Sequence, residues 1–328
     1  MTTLLRTRLT TALLLTVALL AAIVTLGFGD YPMSVSQVVR ALVDPSTGFD
    51  HTVVVEWRLP RVVSALLVGA CLGVSGAIFQ SLTANPLGSP DVIGFSTGAY
   101  TGALIAMTVL GLGLGGATVG AIVGGLGTAA IVYVLAFRQG VLGFRLVVVG
   151  VGVTAMMSAL NTWLLMRAQL EVALGAAIWG AGSFSLTNAT DAWVLGGTLL
   201  LATATLRAVA PSLRQLELGD DTSRAHGVRV EPARLALLVI GVVLVAVPTA
   251  LVGPIAFIAL AAPQVAARIT RSAGLPLIAS AAVGALVLVL ADGVAQHALP
   301  GGVPVGTVTV VIGGCYLVWL LAAETRRR

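Results

Sequence analysis

The chain has 328 residues, of which 58% are hydrophobic and only 9% charged, with a formal net charge of +5. Soluble domains carry about a quarter of their residues as charges, so this composition belongs in lipid, and no polar stretch is long enough to make a separate soluble domain. All 18 basic residues are arginine, which excludes a P-loop with its phosphate-binding lysine and excludes Schiff-base or pyridoxal phosphate chemistry.

In chain order, Arg6 and Arg8 precede an apolar run at 13–26 in the manner of a signal peptide. The small-residue cleavage pattern is weak and equally apolar segments follow, so a retained first span is expected. With about 20 apolar residues per crossing, spans are predicted at 9–29, 62–82, 91–111, 116–137, 146–166, 192–210, 235–252, 254–267, 276–295 and 304–323. Between the first two, Val35, Val38, Val39 and Leu42 recur at helical spacing and predict a short amphipathic helix on the outer interface. The eighth segment is short, opened by Gly253 and Pro254 and interrupted by Pro263. A broken helix of that kind is tolerated only inside a bundle.

Ten spans place both termini on one side. With the termini inside, only Arg40, Arg58, Arg61 and Arg167 fall outside, and the other fourteen of the 18 arginines fall inside, as the positive-inside rule requires. Trp57, Trp163, Trp179 and Trp193 then gather near the outer surface and Trp319 near the inner one, where interfacial anchors belong.

Several polar features stand out against the apolar background. Arg58-Leu59-Pro60-Arg61 opens the second span on the outer side, where both the orientation bias and the positive end of a helix dipole disfavour cations. Either lipid phosphates or a carboxylate on a docking protein would offset that cost. At the inner end of the span, Asn85-Pro86-Leu87-Gly88-Ser89-Pro90 cannot continue a helix and predicts a tight re-entry. The stretch 211–234 is the only strongly charged one, holding Arg214, Glu217, Asp220, Asp221, Arg224, Arg229 and Glu231. It is read as a solvated loop or as short helices, broken at Gly219 and Gly227, that face a cytoplasmic partner. Asn161, Gln264 and Asp292 are intramembrane polar groups expected to serve as caps or interhelical bonds. His51, His226 and His297 fall in different loops, so no metal site is expected, and Cys71 and Cys315 are read as two buried thiols.

The string from Arg58 through Arg61, Gly69-Ala70-Cys71-Leu72-Gly73-Val74-Ser75-Gly76 through Gln80, and Asn85-Pro86-Leu87 through Gly94 and Gly98-Ala99 resembles the FecCD-type permease family, the membrane subunits of bacterial ABC importers for ferric siderophores, haem and vitamin B12. Further matches follow in order at Trp179 with Gly182-Ser183, Leu218 to Gly227, Gly253-Pro254-Ile255-Ala256-Phe257, Pro263 with Arg268, Ala291-Asp292, and Pro304-Val305-Gly306 before Gly313. The resemblance implies an all-α membrane protein of type II ABC importer permease fold, one transmembrane domain over residues 1–328 with about ten transmembrane helices, in agreement with the independent span count. It implies a second permease subunit, two ATP-binding subunits and an extracytoplasmic binding protein as partners in the bacterial plasma membrane. No cofactor and no nucleic acid are implied.

By the same resemblance Arg58 and Arg61 match binding-protein docking positions, and Asn85 and Leu87 match a cytoplasmic gate. Leu218, Gly219, Asp220, Asp221, Ala225 and Gly227 match the segment that couples to the ATPases. Three departures are visible: Gln296 stands where many members carry a basic residue, Gln264 where a histidine usually follows Pro263, and Gly313-Gly314-Cys315-Tyr316-Leu317 where Gly-x-Pro-x-Phe is usual. Such drift favours a heterodimer of unlike permeases over a homodimer. The function expected is the non-catalytic membrane subunit of a ferric siderophore importer, with haem or cobalamin as alternative cargo. An ion-coupled secondary transporter is the other class considered, and it would want ionisable groups at mid-membrane that the spans largely lack.

Overall fold

A computed structural model describes residues 3–91, 94–136, 143–216, 219–272, 274, 276–299 and 302–325. The described residues form helices joined by short turns, with no strand among them. Helix α1 (Thr3–Gly27) is followed by the short α2 (Val35–Val43). Then α3 (Phe49–His51) runs through a π-helical stretch, Thr52–Arg58, directly into α4 (Leu59–Thr83). The chain continues through α5 (Phe95–Thr108), α6 (Gly113–Ala136), α7 (Gly143–Arg167), α8 (Leu170–Gly180), α9 (Ala189–Leu216) and the six-residue α10 (Asp220–Ala225). It ends with α11 (Val230–Val252), α12 (Ile258–Thr270), α13 (Leu277–His297) and α14 (Val305–Thr325).

Among the described residues, seven helices are long and apolar enough to cross a membrane. They coincide with the predicted first, second, fourth, fifth, sixth, seventh and ninth spans, while α5, α12 and α14 stand at the third, eighth and tenth. The short α12 has 13 residues, roughly 20 Å at 1.5 Å per residue, against a hydrocarbon core of about 30 Å. The cause is visible upstream: Gly253 and Phe257 both take positive φ, at 77° and 69°, so the chain stays irregular until Ile258.

Four expectations are corrected. The second helix does not open at Arg58; it begins at Phe49, because the backbone accommodates an extra residue per turn through the π stretch instead of breaking. The amphipathic helix exists, capped by Ser34 and Gln37 in a capping box, but it buries Val38 and Ala41 against protein while Val35, Val39 and Leu42 stay exposed. Helix α9 continues through Pro211 to Leu216, and α8 occupies a connection that the span count left without a helix. Cys71 is buried but Cys315 is exposed.

The core is organised around α4, which packs on α9, α11, α12 and α13. Glycine permits this. A β-carbon at Gly69 would overlap the Gly284 carbonyl, one at Gly73 the Ser280 carbonyl, and one at Gly76 the Ala259 carbonyl. Gly69 and Gly73 meet α13 in antiparallel register, since four residues forward along α4 match four residues back along α13. The pair α5–α6 uses the same device, with Gly102 against Gly120 and Gly124 against Gly98. In lipid, where apolar surface gains nothing by leaving one hydrocarbon for another, such close backbone contact supplies the van der Waals energy that holds helices together.

Polar clasps complete the packing. Ser75 Oγ donates to the Gly241 carbonyl of α11 at 2.7 Å. Gln80 Nε2 donates to the Leu260 carbonyl of α12 at 2.9 Å, while its Oε1 accepts from Gln264 Nε2 at 2.7 Å. Gly76→Ala is therefore expected to destabilise the protein by about 1–3 kcal/mol through overpacking against backbone. Gly127→Ala and Gly197→Ala, where a β-carbon meets nothing within 4 Å, are expected to hold the wild-type value. Thermal unfolding in detergent compares the three, and equal melting temperatures would refute the packing account.

Candidate functional site

Three clusters carry the polar chemistry. The first is where α4 meets the end of α13. Arg61 Nε donates to Asp292 Oδ2 at 2.8 Å and Arg61 Nη2 to Asp292 Oδ1 at 2.7 Å, a two-pronged pair that extends the α4–α13 register: eight residues back from Gly69 meets eight residues forward from Gly284. Gln296, one helical turn beyond Asp292, accepts from Arg61 Nη1 and Nη2 at 2.6 Å when its amide oxygen faces the guanidinium. Both ends of the pair are largely shielded, with side-chain exposures of 14% for Arg61 and 8% for Asp292. One edge of Arg61 remains turned toward Ser185 Oγ, at 3.5 Å.

Arg58 turns the other way. Its Nη1 donates to the Leu26 carbonyl at 2.9 Å and its Nη2 to the Tyr31 carbonyl at 2.7 Å. Leu26 lies in the last turn of α1, whose carbonyls have no helical partner and whose dipole end attracts a cation. Because the helix starts at Phe49, neither arginine sits at a helix N-terminus, and the electrostatic penalty expected from sequence is answered inside the chain. Both arginines line a cavity of about 750 Å³ together with Trp57, Asp292 and Gln296.

The second cluster is the turn after α4. Ala84 adopts φ 46°, Asn85 Oδ1 accepts from the Leu87 amide at 2.9 Å, and the Asn85 carbonyl accepts from the Gly88 amide at 2.9 Å. This side-chain turn folds the chain back on itself, and a β-carbon at Gly88 would overlap Thr83 Oγ1. Leu87 projects from the tip, exposed. Ser89 and Pro90 are buried beneath it, and Gly94 at φ 82° starts α5.

The third is the segment around α10. Gly219 at φ 98° and Gly227 at φ 80° bracket the helix, a conformation that side chains other than glycine resist. Ser223, absent from the sequence reading, is the buried anchor: its Oγ donates to the carbonyls of Gln215 and Gly219, both at 2.8 Å. Asp221 is fully exposed and pairs with Arg224 at 3.2 Å. Leu218, predicted as part of this segment, lies outside the described residues, as do Val92 and Ile93 of the re-entry string. The signal for Ser223 was present, a small hydroxyl four residues after the glycine that precedes α10, but the surrounding charges drew the reading.

An all-helical bundle with glycine-packed spans, a broken short helix and a bracketed helix in its charged connection has the make-up of a multi-pass membrane protein. The profile of the FecCD transport family matches residues 14–323, and the chain belongs to that family. It is 47% identical over 324 residues to the ferric enterobactin transport system permease protein FepG of Escherichia coli, covering 98% of each chain. It is 30% identical over 321 residues to the ferric enterobactin transport system permease protein FepD of the same organism, covering 95% of each. Among solved structures it resembles a metal-chelate type ABC transporter in an inward-facing conformation, with TM-score 0.82 and 28% identity, covering 96% of this chain and 99% of that one.

The Arg61–Asp292 pair yields a direct expectation. Arg61→Gln or Asp292→Asn leaves a shielded partner uncompensated and should each cost about 3 kcal/mol. Arg61→Gln combined with Asp292→Asn should cost less than the sum of the two. Strictly additive losses in a double-mutant cycle on thermal unfolding would mean that the groups do not interact.

Proposed function

We propose that this chain is the transmembrane subunit of an ABC importer that moves a ferric siderophore across the bacterial plasma membrane. The observation that carries this reading is 47% identity over 98% of both chains with a ferric enterobactin permease. The transport work is done by alternation between outward-open and inward-open states, driven by ATP on two partner subunits. The chain's lack of any lysine is in keeping with ATP hydrolysis on those partners rather than here. A heterodimer with a second, unlike permease is favoured: in one organism two differently named enterobactin permeases exist, and this chain stands at 47% identity to one and 30% to the other.

Roles follow the two ends of the bundle. With both termini cytoplasmic, the turn after the second span and the segment after the sixth fall on the inner side. The turn with Asn85 and Leu87 serves as the cytoplasmic gate, and its support is its self-bonded geometry with one apolar side chain at the tip. The α10 segment, with Gly219, Asp220, Asp221, Ala225 and Gly227, couples to the ATPases, and Ser223 holds it to the end of α9. The outer rim around Arg58 and Arg61 receives the extracytoplasmic binding protein. Since both guanidiniums are already engaged, that docking works through a preorganised rim rather than through two unpaired charges.

Uptake of radiolabelled iron as ferric enterobactin by proteoliposomes of the assembled importer tests the reading as a whole. Failure to transport any ferric chelate in the presence of ATP and the binding protein would end it. Charge reversal at Asp220 and Asp221 together should reduce substrate-stimulated ATPase activity by at least about tenfold, a loss of roughly 1.4 kcal/mol in productive coupling, with the protein still inserted. Unchanged stimulation would remove α10 from the coupling path.

A further inference from the structure

The cavity that Arg58 and Arg61 line also holds two carboxylates, Asp30 and Asp292. Two cations face two anions, so its formal charge balances. Asp292 grips the Arg61 guanidinium from two sides, at 2.8 Å and 2.7 Å, which is the geometry that an incoming carboxylate would itself need. Gln296 takes the remaining terminal N–H groups at 2.6 Å with its oxygen turned inward. Arg58 is directed at the Leu26 and Tyr31 carbonyls, and the exposed Asp30 shares the cavity with its other donors. Eight residues along α4 from Arg61, the backbones of Gly69 and Gly284 touch. The two helices therefore offer no through route between them, and the cavity is a socket.

Its mouth is aromatic. Tyr31 meets Phe49 edge to face, with centroids 5.4 Å apart and planes at 81°, and Phe49 meets Trp57 in the same way at 6.1 Å and 88°. Tyr31 Oη donates to Asp50 Oδ1 at 2.9 Å, which steadies the ladder. Phe49 and Trp57 are each 59% exposed, and Phe28 beside them 57%. Trp163 and Trp193 are exposed as well, but they line no part of the cavity, and an aromatic belt facing lipid accounts for them. A ladder of rings gathered around one opening has a different use. Exposed tryptophan and tyrosine at a concave mouth are the residue types that carry the binding energy of protein interfaces.

With this rim on the outer side, as in the reading above on which this rests, we propose that the cavity is a neutral socket for the extracytoplasmic binding protein. One lobe of that protein seats a projection with a large uncharged side chain between Phe49 and Trp57, and none of its carboxylates pairs with Arg58 or Arg61. Asp292 already stands where such a carboxylate would bind. The arginines shape the floor, and the rings hold the partner.

The test follows association and dissociation of the binding protein, loaded with ferric enterobactin, on the assembled importer in lipid nanodiscs at low and high salt. Phe49→Ala and Trp57→Ala should each weaken binding about tenfold or more, chiefly through faster dissociation and with the salt dependence unchanged. Both side chains are more than half exposed, so both variants are expected to insert and to unfold at the wild-type temperature. Asp30→Asn discriminates between the two kinds of docking, because it leaves the cavity with one net positive charge. A neutral projection then associates at the wild-type rate, whereas an incoming carboxylate associates several-fold faster at low salt. Unchanged dissociation in both aromatic variants would make the rings lipid anchors and overturn the socket. A several-fold gain in association rate for Asp30→Asn would overturn it in favour of carboxylate docking. Failure of the wild-type importer to engage the binding protein at all would instead remove the importer reading on which the socket rests.

Discussion

The close approach of α4 to α13 and α12 is the constraint on which the rest of the structure depends. Inside a bilayer, apolar side chains gain little by leaving lipid for protein, so a bundle must be held by contact area and by hydrogen bonds that lipid cannot offer. Glycines at 69, 73 and 76 bring the α4 backbone against carbonyls of its neighbours. Once the backbones touch, the register is set, and everything further along each helix is placed by that register. Arg61 meets Asp292 because Gly69 meets Gly284.

That placement changes the meaning of the polar residues. An arginine in a membrane helix is costly unless it is paired or reaches water. Arg61 is paired within the chain, and Arg58 closes the carbonyl end of α1. Gln80 and Gln264 satisfy one another across α4 and α12. The intramembrane polar groups thus divide into those bonded across helices, which fix the bundle, and those with a buried atom left unbonded, Ser64 Oγ, Thr154 Oγ1 and Asn161 Oδ1 among them.

Backbone irregularity is distributed in the same way. The described non-glycine residues at positive φ are Ala84, Phe257 and Arg271, each at a helix end that would otherwise continue. In lipid such breaks are tolerated only where protein covers them, and Ala84 and Phe257 adjoin the turn after α4 and the start of the short α12. The breaks end or delay helices that would otherwise continue, and the turn proposed as the gate follows the first of them, at Ala84.

The hydrophobic segments and their order were legible because hydropathy acts over about 20 residues at a time and needs no neighbour to be read. The tight turn at Asn85 and the helix bracketed by Gly219 and Gly227 were legible because proline and glycine act on their own backbone. The partners of Arg58 and Arg61 and the internal pairing of Gln80 with Gln264 were not. Nor was the extension of the second helix back to Phe49, since a π stretch leaves no local signature. These depend on which element lies against which and at what register, and along α4 the register is decided by backbone contacts between residues as far apart in sequence as Gly69 and Gly284. The sequence by itself determined a membrane-spanning helical bundle with a recognisable order of turns; the tertiary structure alone decided which charges are paired and which polar atoms find a partner, because satisfaction is a property of neighbours and not of residues.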